Sequence, residues 1–222
     1  MSDAGSIIVV GAGPGLGTEI ARRFGREGMQ VGLIGRRLDR VQQVVDELAV
    51  EGIDARAVAG DTAHRDAIRE ALDTLTAELG APDVLAYNAA AGSAPGSPSE
   101  VGSALLMQVL AVAAGGLADS VERIMPGMRE RGSGTVLVTG SAIAIDPWVE
   151  ATALSVGKAA QRHFTHALHR EAIDYGVHAT TVTIHGVLAV GTPFDPQLVA
   201  EEFWTVHTQP RAEWTWEHDY KG

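Results

Sequence analysis

The sequence predicts a doubly wound α/β domain with a parallel sheet, and three observations predict it. Short β-branched runs alternate with helical patterns along most of the chain, the helical segments are long enough to force parallel crossovers, and four glycines stand between the first strand and the first helix. With 222 residues and 45% hydrophobic content, there is material for one sizeable core. A single domain is therefore expected.

Ser6–Val10 is an apolar run ending in glycine, and Thr18–Gly28 follows it with helical spacing. Gln30–Ile34 is the second strand, and Leu38–Glu51 is a helix with Val41, Val44, Val45 and Leu48 on one stripe. Asp54–Ala59, His64–Leu79 and Asp83–Tyr87 continue as strand, helix and strand. Ala90–Ser99, rich in Gly, Pro and Ser, reads as a loop, because the alternation resumes beyond it. Val101–Met128 is predicted as a long helix bent near Gly115 and Gly116. Thr135–Thr139 is a strand, Ala151–Tyr175 a long helix and Val177–Ile184 a strand. Beyond Pro196, Gln197–His207 reads as a helix, and the alternation of charged and Trp residues over Glu213–Glu217 reads as a half-buried edge strand.

Composition excludes several classes. A net charge of -11 with no basic run disfavours nucleic acid, whose binding needs clustered cations. The absence of cysteine removes disulfides, thiolate metal sites and a thiol nucleophile, and it suits a reducing cytoplasm. The apolar run Ile7–Val10 stops at Gly11, so neither a secretion signal nor a membrane span is expected. His163, His166 and His169 recur every three residues, which drifts around a helix, and no metal site is assigned to them.

Gly11, Gly13, Gly15 and Gly17 lie in Gly11-Ala-Gly-Pro-Gly-Leu-Gly17. Glycines at a strand-to-helix turn let the backbone approach a pyrophosphate and bring the helix N-terminus to bear on its charge. The spacing G-x-G-x-x-G fails because Leu16 holds its last position; G-x-x-x-G-x-G fits through Gly11, Gly15 and Gly17. At the end of the second strand stand Arg36 and Arg37 in place of an acidic residue, which favours the 2′-phosphate of NADP(H) over NAD.

From Ser6 to about Phe194 the chain resembles the short-chain dehydrogenase/reductase family, which has a Rossmann-type fold. The resemblance rests on the glycine turn, Asp61-Thr62, Asn88-Ala89, Met128–Gly134, Ser141 and Lys158-Ala-Ala160, in the family's order. It implies that Asp61 and Thr62 contact the adenine, and that Asn88, Ala89, Lys158, Gly186 and Val187 complete the NADP(H) site. It also implies a small-molecule substrate and a homodimer or homotetramer formed through the long helices.

The family's carbonyl reductases pair a Tyr acid with Ser, Lys and Asn. Ser141 and Lys158 match, whereas Leu154, thirteen residues after Ser141 and four before Lys158, holds the Tyr position and Ala113 the Asn position. Leu154 has no proton to give. His185, just after the sixth strand, is the best substitute donor, with Ser155 and Thr152 weaker ones. The leading expectation is an atypical NADP(H)-dependent reductase of a carbonyl, imine or activated alkene, in which Ser141 orients the electrophile and His185 or water supplies the proton. The alternatives are a catalytically silent NADP(H) sensor and a non-redox isomerase or lyase. The segment after Pro193-Phe194, about 193–222, is short for a substrate lid, and Phe203, Trp204, Trp214 and Trp216 either line a wide mouth or close the sheet edge.

Overall fold

A computed structural model describes residues 5–92 and 95–222; two residues of the expected loop, 93 and 94, lie outside the described residues. Seven parallel strands form one sheet in the order β3-β2-β1-β4-β5-β6-β7. The strands are β1 (Ser6–Val10), β2 (Gln30–Gly35), β3 (Ala55–Ala59), β4 (Val84–Tyr87), β5 (Gly134–Ser141), β6 (Val177–Ile184) and β7 (Glu217–Tyr220). Between them run α1 (Leu16–Arg26), α2 (Leu38–Val50), α3 (Arg65–Leu79), α4 (Ser103–Leu110), α5 (Gly116–Arg131), α6 (Thr152–Ala172) and α7 (Pro196–His207).

β1 and β4 are buried along their whole length and read as largely apolar runs. Ile7 and Val9 face α1, α2 and α7, where Ile20, Phe24, Leu48 and Phe203 complete one core layer. Ile8 and Val10 face the other way, against Ile68, Leu72, Leu117 and Ile124. The chain reverses its winding between β1 and β4, and a crevice opens there beyond the carboxyl ends of the strands.

One expectation is corrected and two are made more specific. The final strand is Glu217–Tyr220, whereas Arg211–Glu213 forms a 3-10 turn, so the Trp alternation precedes the strand. Trp214 stacks on His178 with ring centroids 4.8 Å apart and Trp216 on His166 at 4.2 Å, so these rings cover the sheet edge from an irregular segment. The long helix is interrupted by a π-helical turn, Ala111–Gly115, directly before Gly116. That wider turn leaves the Val112 carbonyl to accept from the buried Tyr87 hydroxyl. Finally, Ser103–Arg131 does have the length and apolar character of a membrane span, with mean hydropathy 1.7 over its most apolar stretch. Leu117, Val121, Ile124, Met125 and Met128 on this helix are buried in the protein's own core.

Candidate active site

The glycine turn is built by backbone contacts. The Gly11 and Ala12 amides both donate to the Ile34 carbonyl at 2.9 Å, tying the turn to the end of β2. Gly11 has φ +89°, and a Cβ there would collide with the Ala89 backbone after β4. Thr18 Oγ1 donates to the Gly13 carbonyl at 2.8 Å and fixes the far side. Gly15, φ +104°, precedes α1 with no side-chain cap, so the amides of the first helical turn face outward for an anion. A Cβ at Gly13 or Gly15 would meet nothing within 4 Å; this open cradle fits a diphosphate.

Two chambers meet at this turn, and both are lined by Gly11, Asn88 and Ala90. The smaller, about 190 Å³, runs toward Gly35, Arg36, Gly60, Thr62 and Ala89. Arg36 lines it, whereas Arg37 lies outside, exposed and paired with Asp39 at 2.8 Å. Asp61 accepts from the Ala63 amide at 3.0 Å and shapes the turn that presents Thr62.

The larger chamber, about 520 Å³, is lined by Gly13, Leu16 and Gly17 on one side and Ser141, Leu154 and Lys158 on the other. Gly186, Val187 and Leu188 close its third wall. Ile143 and Trp148 are lining residues that sequence reasoning missed; their only signal was position, in the segment between Ser141 and Leu154.

Asn88 latches the two chambers. Its Nδ2 donates to the Gly11 carbonyl at 3.0 Å, and its Oδ1 accepts from Thr139 Oγ1 at 2.9 Å. Lys158 Nζ donates to the Thr139 carbonyl at 2.6 Å. The lysine is buried, and loss of solvation pushes its ammonium down to about 8.

The structure separates the other candidates from this cavity. His185 Nε2 lies 2.6 Å from Asp219 Oδ1 on β7, and His185 is not among the lining residues. Ser155 is buried and accepts from the Trp148 amide at 3.0 Å, so its hydroxyl holds the loop that carries Trp148. Thr152 Oγ1 donates to the Val149 carbonyl at 2.8 Å. Ala113 is buried in the π turn, close to Gly157. His169 Nδ1 bonds the Ala179 carbonyl at 3.0 Å while His166 stacks on Trp216, so the histidine stripe serves separate contacts. Phe203 is fully buried, Trp204 packs edge-on against Phe24 with centroids 5.1 Å apart, and none of the four C-terminal aromatics lines the cavity.

Chemically, the crevice offers an anion cradle at its centre, a cation at one end, and a hydroxyl with a buried ammonium at the other. Residues 6–198 match the family described as short chain dehydrogenase. The chain is 32% identical over 173 residues to a short chain dehydrogenase, MYCFIDRAFT_6125, of Pseudocercospora fijiensis, covering 77% of this chain but 55% of that protein. It is 30% identical to the NADP-dependent 3-hydroxy acid dehydrogenase YdfG of Shigella flexneri, covering 92% and 89% of the two chains. Among solved structures, a metagenomic short-chain oxidoreductase in complex with NADP superposes with TM-score 0.89 at 24% identity, over 98% of both chains. By sequence, fold and the order of its motifs, the chain belongs to the short chain dehydrogenase family.

Proposed function

We propose that this protein is an NADP(H)-dependent reductase of a small apolar carbonyl, imine or activated alkene, with a changed acid-base apparatus. One observation carries the reading: a single crevice has Arg36 at one end, a diphosphate cradle in the middle, and Ser141 with Lys158 at the other end. The YdfG relative's name supports the choice of coenzyme. Arg36 would hold the 2′-phosphate, the amides of the first turn of α1 the diphosphate, Thr62 and Ala89 the adenosine half, and Lys158, Gly186 and Val187 the nicotinamide half. The bound coenzyme supplies hydride.

Around the reacting centre, the Ser141 hydroxyl orients the electrophile and Leu154 presents hydrocarbon. Ile143, Trp148, Ile184, Val187 and Leu188 make the rest of this wall apolar, and Lys158 is the one charged side chain among the described lining residues. This composition favours an uncharged, ring-sized substrate over a carboxylate. The family relation favours a dimer or tetramer formed through the long helices.

The test is a screen of NADPH oxidation against 2-acetylnaphthalene, 2-cyclohexenone, a cyclic imine and acetoacetate. Turnover of the first three in preference to acetoacetate is the expected result. Saturable NADPH binding with no turnover of any compound would replace the reductase with a sensor.

A further inference from the structure

The missing tyrosyl proton needs a source, and the described side chains leave few. His185 is engaged by Asp219 outside the cavity, and the Ser155 hydroxyl is buried against Trp148 and Ala151. Leu154 is hydrocarbon. Lys158 is different in kind: it lines the chamber beside Ser141, and among the described residues its ammonium donates one hydrogen bond of a possible three, to the Thr139 carbonyl. Leu154 is shorter than a tyrosine and lines the same chamber as Ser141 and Lys158, so no phenol oxygen competes there for the lysine's protons.

Resting on the reductase reading above, we propose that Lys158 is itself the general acid of this enzyme, protonating the substrate oxygen directly or across one water.

The step balances as follows for a carbonyl. A C–H bond forms at carbon as hydride arrives, and the π electron pair moves onto oxygen. The Nζ–H bond of Lys158 then breaks as the O–H bond forms. Two-electron oxidation of NADPH matches the reduction of the carbonyl, and the neutral amine regains its proton from solvent. Two features make the lysine suitable. Burial alone, with no carboxylate contributing, weakens its hold on the proton, so transfer to an alkoxide is strongly downhill. The Thr139 carbonyl, locked through the Thr139 side chain to Asn88, fixes where Nζ sits.

The chain contains two lysines, Lys158 and Lys221, and the second is exposed, so each can be followed separately. The probe is 4-nitrophenol, which mimics a product hydroxyl and reports its own ionisation by absorbance without needing turnover. NADP binding is measured first, by calorimetry; its failure would sink the reductase reading and leave the donor question behind. With NADP bound, 4-nitrophenol should bind the wild type at pH 6 largely as phenolate, paired with the Lys158 ammonium. Its apparent pKa should rise by at least one unit in Lys158→Met, read at an NADP concentration that calorimetry shows to saturate that variant. In the wild type, nitrogen NMR should show the Lys158 ammonium signal, but not that of Lys221, shifting when 4-nitrophenol is added. This second measurement holds even where Lys158→Met fails to fold. Absence of 4-nitrophenol binding to the NADP complex, ionisation indifferent to Lys158, or an unmoved Lys158 signal would each overturn the proposal.

Discussion

On the proposed reading, Leu154 and Arg36 are the single side chains on which the chemistry turns. Losing a positioned general acid costs about 10² to 10⁴ in rate. Leu154→Tyr is therefore expected to raise carbonyl reduction about 100-fold, measured as kcat/KM for 2-acetylnaphthalene; no gain would mean that the pocket cannot seat a phenol beside Ser141. Arg36→Ala should weaken NADPH roughly tenfold, the equivalent of one exposed charge-assisted contact, while leaving NADH unchanged in fluorescence titration. His185→Ala should keep NADPH oxidation within about threefold, since the imidazole is spent on Asp219. A loss of a hundredfold would return His185 to the chemistry. The glycine turn was readable from its place between the first strand and the first helix, whereas Ser141 and Lys158 were picked out by the resemblance to the family's motif order. The His185–Asp219 pair spans 34 positions, and no local pattern announces such a contact.

Among the elements, those with a strong period were legible and the irregular ones were not. β1 and β6 coincide with the expected Ser6–Val10 and Val177–Ile184, because a buried parallel strand is an unbroken apolar or β-branched run. β7 was misplaced by its polarity: Glu-His-Asp-Tyr holds no apolar alternation, and it pairs as a strand because distant groups satisfy it. Arg162 grips Glu217 through two bonds of 2.7 and 2.6 Å, and His218 meets Glu202 at 2.9 Å. The π turn was anticipated only as a bend, since its stabilising partner, the Tyr87 hydroxyl, lies 25 residues upstream. Helix α7 depends on Phe203, fully buried in the layer that also holds Phe24. Phe203→Ala should cost about 3–4 kcal/mol by urea denaturation. A cost below about 1 kcal/mol would mean that α7 is a loose appendage rather than part of the core.

For the whole molecule, buried imidazoles contribute to acid stability: burial holds both His207 and His178 below the ordinary histidine range. His178 is fully buried on β6 beneath Trp214, and desolvation holds it down to about 4, from an ordinary value of 6.5. The unfolded chain thus takes up this proton first as pH falls, so stability is full above about 6.5 and declines progressively toward about 4. Urea midpoints measured across that window should fall with pH, and a flat response would show that His178 is already charged in the native state.

Asn88 has a broader consequence. Its amide is clamped on both sides, to the Gly11 carbonyl and the Thr139 hydroxyl, at the partition common to the two chambers. Turning this amide would break both bonds at once, so the two chambers share one tied wall. On the proposed reading, coenzyme and substrate would influence each other through the volume each fills, as tenants sharing that wall, and their order of entry would be a matter of steric precedence.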